Sequence, residues 1–122
     1  MMPTYPLGSW ERKIDSKNRI QLPRAFTEYE EIIAFTYIQE MGFTHEELYQ
    51  EILEADHMHK LAKLRIDDSH RINLSRIISE MNIKKDVTII SLGRFFRIED
   101  TLEISKINID TLDAKEAKRL DL

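Results

Sequence analysis

Residues 13–26 read KIDSKNRIQLPRAF and residues 65–78 read RIDDSHRINLSRII, so the phrase Asp-x-x-x-Arg-Ile-x-Leu-x-Arg occurs twice, fifty-two positions apart and without a gap. Between Ile14–Phe26 and Ile66–Ile78, six of thirteen positions are identical: Ile14/Ile66, Asp15/Asp67, Arg19/Arg71, Ile20/Ile72, Leu22/Leu74 and Arg24/Arg76. A single period of about fifty residues describes a duplicated half-domain, because a solenoid needs three or more units to bury its faces.

Each copy reads as a hairpin. WERKID with RIQL, and AKLRID with RINL, alternate polar and apolar residues around the short loops SKN and DSH. Asp15 and Asp67 sit where a carboxylate accepts backbone amides two residues on, as in an Asx-turn. Asn18 suits a positive φ, and His70 tolerates one less well. Arg19 and Arg71 follow their Asp by four positions, so across a tight turn the two side chains meet. This spacing assigns the Asp to turn geometry and the Ile and Leu to a shared core, while the Arg either fixes the same turn or reaches a partner.

A helix start follows each hairpin. Pro23 fits a first helical position, Ser75 fits an N-cap, and RAFTEY and RIISEMN continue as short amphipathic helices. EIIAFTYI and EMGF then give the strands of the first half; DVTIISL and FFRI give those of the second, around Gly93-Arg94. In THEELYQEILEADHMHKL, Thr44 and Glu47 stand at capping-box spacing, and Leu48, Ile52 and Leu53 make one apolar stripe. IEDTLEISKI is the corresponding helix of the second half. Each half therefore reads strand–strand–helix–strand–strand–helix.

The net charge is −4 with pI ≈ 5.6, yet the charge is segregated along the chain. Residues 8–26 carry +3, residues 27–58 carry −9 with no Lys or Arg, residues 59–97 carry +5, and residues 98–122 carry −3. Positive charge thus follows the repeated phrase. Two arrangements fit this pattern: a basic face on an acidic protein, or acidic helices that neutralise basic hairpins on folding. With 122 residues, 42% hydrophobic and 33% charged, the chain reads as one globular unit or two half-domains sharing a core. No apolar run approaches the ~20 residues of a membrane span, no signal segment is visible, and the absence of cysteine fits a cytoplasmic protein.

Residues 7–107 resemble the MraZ family, tandem relatives of the AbrB-like swapped-hairpin regulators. The matching phrases are Gly8-x-Trp10, Ile14-Asp15-Ser16-Lys17-Asn18-Arg19, Leu22-Pro23, Asp67 to Arg71, and Gly93-Arg94-Phe95-Phe96-Arg97-Ile98. They occur in the family's order and spacing. The sequence departs from the family where Asn18 and His70 replace the motif glycine and Ser75 replaces a proline. Lys17 has no basic counterpart, since Ser69 holds its place, so the two loops are expected to behave differently.

The resemblance implies an α+β fold, a tandem-repeat swapped-hairpin (AbrB/MraZ-like) small β-barrel with short helices. Its repeats would be residues 7–54 and 59–107, each SpoVT-AbrB-like, before a polar tail at 108–122. It further implies a ring-like homo-oligomer, nucleoid-associated, binding double-stranded DNA at promoter repeats of the cell-division and cell-wall gene cluster. By position it nominates Lys17, Arg19 and Arg71 for DNA contact, with Arg12, Lys13 and Arg24 behind them.

Other chemistry finds little support. Gly8, Gly42 and Gly93 are too scattered for a phosphate-cradling loop. His57 and His59 stand two apart, a poor spacing for joint metal ligation on a helix. No nucleophile elbow is present, so the chain reads as a non-enzyme without cofactor, metal or small-molecule substrate. Trp10, Phe26, Phe95 and Phe96 read as core residues before base-stacking platforms. The competing function is an oligomeric protein-interaction module on the same fold, its acidic segment 27–58 or its tail holding a protein partner.

Overall fold

Two hairpins of nearly identical backbone organise the chain. In the first, β1 (Gly8–Lys13) turns through residues 15–18 into β2 (Arg19–Gln21); in the second, β5 (Met58–Arg65) turns through 67–70 into β6 (Arg71–Asn73). The computed structural model describes residues 5–28, 30–38, 40–52 and 58–103. Within them, β3 (Glu31–Tyr37), β4 (Glu40–Thr44) and helix α1 (Glu46–Ile52) complete the first half, and β7 (Asp86–Ser91) and β8 (Phe96–Asp100) complete the second. The result is a small α+β fold dominated by antiparallel sheet.

The pairing crosses between the halves. The strand order in the larger sheet is β1-β7-β8-β4-β3-β5, while β2 and β6 form a two-stranded ribbon. β1 pairs with β7 from Gly8↔Ser91 to Lys13↔Asp86, and β5 pairs with β3 from Glu31↔Arg65 to Tyr37↔Met58. The leading strand of each hairpin is thus built into the other half's sheet. Reciprocal bonds repeat the exchange: Leu22 N–H donates to the His70 carbonyl and Leu74 N–H to that of Asn18, both at 2.8 Å. Ile14 N–H likewise donates to Lys85 and Ile66 N–H to Glu30. Ile20, opposite its own repeat equivalent Ile72 in the ribbon, marks a local two-fold axis.

Burial follows from this geometry. The main cluster takes Ile20, Leu22 and Phe26 from the first copy and Ile72, Leu74 and Ile77 from the second, with Ile32, Val87, Ile89 and Phe96 from the sheet. β3 is buried on both faces, as its continuous apolar run demands. Ile32 and Ala34 face the main cluster, while Ile33 and Phe35 join Tyr49 of α1 in a second one. The aromatic residues read as core go this way: Phe26 and Phe96 are wholly enclosed, and Trp10 packs edge-on against Phe26 at 5.1 Å.

Several local expectations are corrected. Thr44 does not cap α1: it closes β4, is fully buried, and its hydroxyl donates to the Arg94 carbonyl at 2.7 Å, a tertiary bond that outcompetes the cap. Leu48 of the expected apolar stripe is buried and shares the anchoring of the helix with Tyr49, whereas Leu53 lies outside the described residues. The two short helices are single 3-10 turns, Arg24–Phe26 and Ile78–Glu80. Pro23 is extended (φ −56°, ψ 142°) and precedes its turn. Ser75 is no N-cap either; its N–H is taken by the Asn73 side chain at 2.8 Å, and the turn begins three residues later. Of IEDTLEISKI, expected as a helix, residues 98–100 close β8 instead, and residues 104–107, like the tail at 108–122, lie outside the described residues.

Candidate nucleic-acid interface

The two loops are built alike, atom for atom. Asp15 Oδ1 accepts the N–H groups of Lys17 and Arg19, each at 2.9 Å, and Asp67 Oδ1 accepts those of Ser69 and Arg71 at 2.8 and 2.9 Å. Asn18 and His70 both adopt the left-handed conformation, with φ of 63° and 62°. The two loops therefore share one shape, in which Asn18 and His70 bear a conformational cost that a glycine would not.

The same aspartates hold the arginines. Arg19 Nε meets Asp15 Oδ2 at 2.7 Å, and Arg71 Nε meets Asp67 Oδ2 at 3.0 Å, each pair about one-third exposed. The Arg19 N–H, then the Arg19 guanidinium and Lys17 N–H, hold the Asp15 carboxyl below its ordinary range against the opposing effect of burial. Burial pushes Asp67 upward, and the N–H groups of Arg71 and Ser69 with the Arg71 guanidinium overcome it, so it too lies low. Both carboxylates are ionised at neutral pH and fix the arginine stems. Among the described residues, the outer guanidinium nitrogens of both arginines have no hydrogen-bond partner.

The ribbon then brings the two arginines together. Arg19 stands opposite Asn73, and Arg71 opposite Gln21, while Ile20 and Ile72 point to the other face and into the core. By strand alternation Arg19, Gln21, Arg71 and Asn73 share the outward face, with the two arginines on a diagonal of roughly 7–8 Å. Arginines distant in sequence thus form one platform.

The remaining nominated residues hold different places. Lys17 projects from the loop and has no ion-pair partner among the described residues. Lys13 lies 3.9 Å from Asp86, an exposed pair of little energetic weight. Arg12 is half-buried on the side of β1 that carries Trp10 and Ile14, and its guanidinium donates to the carbonyls of Gln21 (3.1 Å) and Glu11 (2.9 Å). That makes Arg12 a clasp between β1 and β2. Arg24 is exposed on its 3-10 turn, and its carbonyl accepts the Thr27 N–H and hydroxyl.

Basic residues of the second copy outside the Asp-x-x-x-Arg phrase, Lys63, Arg65 and Arg76, line a cleft beside the platform with Leu64, Asn73 and Ser75. The repeat itself marks two of them, since Arg65 and Arg76 hold the places of Lys13 and Arg24. Ion pairs between the acidic segment and basic residues are limited, among the described residues, to Lys60–Glu46 at 3.7 Å and Arg97–Glu40 at 2.6 Å. The described residues of segment 27–58 therefore leave the platform's cations unneutralised.

Among the described residues, no group of three or more His, Asp or Glu could hold a metal, and His57 lies outside them. No described helix is long and apolar enough to cross a membrane. No family model matches the chain, and no curated protein matches it.

Proposed function

We propose that this protein is a sequence-specific DNA-binding transcriptional regulator of the MraZ kind. On this reading the exchanged strands and the β2–β6 ribbon are a tandem swapped-hairpin domain. Copies assemble into a ring-like homo-oligomer that sits on promoter repeats in the nucleoid. The observation that carries the reading is the shared outward face of Arg19 and Arg71, each braced by its own aspartate. A braced guanidinium has already lost part of its rotamer freedom, which lowers the entropic cost of binding. Its outer nitrogens suit a phosphate or the O6/N7 edge of guanine. Oligomerisation would multiply weak contacts through effective concentration.

The test is titration of a promoter-derived duplex and a scrambled duplex, read by fluorescence anisotropy across a salt series. Affinity should fall steeply with salt as phosphate neutralisation releases counterions. Arg19→Ala and Arg71→Ala should each weaken binding, with the promoter duplex bound more tightly than the scrambled one. Equal, salt-insensitive or absent binding of both duplexes overturns the proposal.

A second reading is the protein-interaction module. Its support is the same Asp–Arg bracing, which gives both arginines a structural purpose without DNA, together with the exposed acids Glu30, Glu31, Glu46 and Glu47 grouped around the start of α1. Failure of both duplexes to bind at low salt favours it.

A further inference from the structure

The repeat provides an internal control. Lys63, Leu64, Arg65, Asn73, Ser75 and Arg76 line a cleft of about 420 Å³ in the second copy. Their counterparts in the first copy are Glu11, Arg12, Lys13, Gln21, Pro23 and Arg24. In the first copy this place is occupied and of mixed charge. Arg12 lies across it onto the Gln21 carbonyl, Glu11 supplies a carboxylate, and Lys13 leans toward Asp86.

In the second copy the crossing arginine is Leu64, buried at the base of the cleft, and the carboxylate is replaced by Lys63. Lys63, Arg65, Ser75 and Arg76 are exposed, and none of the three cations has a carboxylate within ion-pairing distance among the described residues. The place in the first copy is thus crossed by Arg12 and of mixed charge, and the hollow that Glu11, Arg12 and Lys13 do line opens instead toward Asp86, Thr101 and Leu102; the second copy's cleft is uncrossed and cationic.

We infer that this cleft is a binding site for a phosphate group. Two guanidinium groups and an ammonium lining one cleft, Lys63 and Arg65 from β5 and Arg76 from the segment after β6, suit the several oxygens of a phosphate, and guanidinium matches that geometry with paired donors. Ser75 adds a neutral donor: its Oγ accepts from Asn18 Nδ2 at 3.4 Å, which leaves its own hydrogen to give. Protection of an exposed sheet edge accounts for Lys63 and Arg65 on the edge strand β5, since lysine and arginine there discourage strand addition. It does not account for Arg76 and Ser75, which arrive from the other side of the cleft.

The cleft is continuous with the arginine platform, because Asn73 lines the one and stands opposite Arg19 in the other. The phosphate's source is then either a nucleic-acid backbone, which rests on the function proposed above, or a free phosphate ion, which does not. Either way the interface is one-sided: the second copy carries the phosphate seat, and the first carries Lys17 at its loop tip.

The experiment follows backbone amides of the full chain by NMR during titration with inorganic pyrophosphate, and separately with a short DNA duplex at low salt. Sodium chloride of matched ionic strength serves as control. Pyrophosphate should produce saturable shifts centred on residues 63–65 and 73–76, and a Lys63→Glu/Arg76→Ala double variant should bind roughly tenfold or more weakly. These side chains are exposed, so the variant is expected to keep the wild-type spectrum elsewhere.

Should the duplex be the source, it moves the same amides, and the double variant lowers the salt slope of duplex binding by roughly 0.9 for each phosphate it no longer neutralises. Pyrophosphate binding here with no duplex binding anywhere keeps the cleft and overturns the DNA reading. Duplex binding that shifts only the Arg19 and Arg71 region, equally in wild type and variant and with no pyrophosphate response, keeps the DNA reading and overturns the cleft.

Discussion

Ile20 faces Ile72 across the two-stranded ribbon, each completely buried and each the other's equivalent in the repeat. Two copies of one sequence phrase therefore meet side chain to side chain at the axis relating them. The opposite face of the same short register carries Arg19 and Arg71. Core and platform are two faces of one short ribbon, so the packing that holds the isoleucines also sets the spacing of the arginines.

Ile20→Val and Ile72→Val should each lower stability by about 0.5–1.5 kcal/mol, through loss of one buried methylene and the small void it leaves. Because the two sites share an environment, their costs should be similar. Because they touch, the double variant should depart from additivity by about 0.5 kcal/mol or more. Urea denaturation followed by circular dichroism measures all three, and near-zero coupling would contradict the direct contact.

Much of this arrangement is legible in the sequence, for a definable reason. The Asp-to-Arg turn is local: its hydrogen bonds span four residues, so residue identity and spacing specify it, and both loops match that expectation. The partners of β1 and β5 are another matter. Gly8–Lys13 pairs with a strand more than seventy residues away, and alternation alone states that a strand has a buried face, not which strand lies beside it. The same limit explains Thr44, whose capping-box spacing with Glu47 is real in sequence but whose hydroxyl is claimed by Arg94, fifty residues distant. Arg12 likewise carries no sign in its own sequence that it lies across the first copy's cleft. Only its alignment with Leu64 marks the difference.

Gly42 stands directly opposite Phe35 in the β3–β4 pair, and a β-carbon there would lie 2.6 Å from the Phe35 Cζ. The ring lies over the glycine, and Phe95 closes the other side at 3.0 Å. Gly42→Ala should thus displace Phe35 and cost about 1–3 kcal/mol as overpacking, despite the usual gain in strand propensity over glycine. The check is a thermal melt compared with Phe35→Leu/Gly42→Ala, in which the smaller side chain should recover part of the loss.

The two left-handed loop residues should respond differently to glycine. His70 at φ 62° bears a conformational cost that glycine lacks, so His70→Gly should be neutral to stabilising, by up to about 1 kcal/mol after the entropy of the unfolded chain is counted. Asn18 tolerates the same φ and also donates to Ser75 Oγ, so Asn18→Gly should gain nothing and lose a weak bond. Melting temperatures of the two variants, measured side by side, decide this; a larger gain at Asn18 than at His70 would reverse the assignment of strain.

Acid should destabilise the fold in two stages. Burial holds the His45 imidazole below its ordinary pKa of 6.5, with Glu47 and Glu28 opposing, and its Nδ1 lies 3.0 Å from the Tyr5 hydroxyl. With the folded value below the unfolded one, the unfolded chain binds the extra proton first. Stability is therefore full above the unfolded value and declines as pH drops below about 6.5. Asp15, Asp67 and Asp100 are also depressed, from 3.8. For Asp100, burial pushes upward and is outweighed by the N–H groups of Lys84, Glu103 and Leu102. The aspartates' share is complete above about pH 4–5 and is lost as pH falls through their lowered folded values. His45→Phe should remove the upper stage, since a ring without a titrating nitrogen has no proton to exclude. Asp15→Asn/Asp67→Asn should reduce the lower stage while leaving the upper one in place. Urea midpoints measured between about pH 2 and pH 8, a range that brackets the ordinary values of both groups by roughly two units, distinguish the two. A single acid transition unchanged by His45→Phe would remove the histidine from the account.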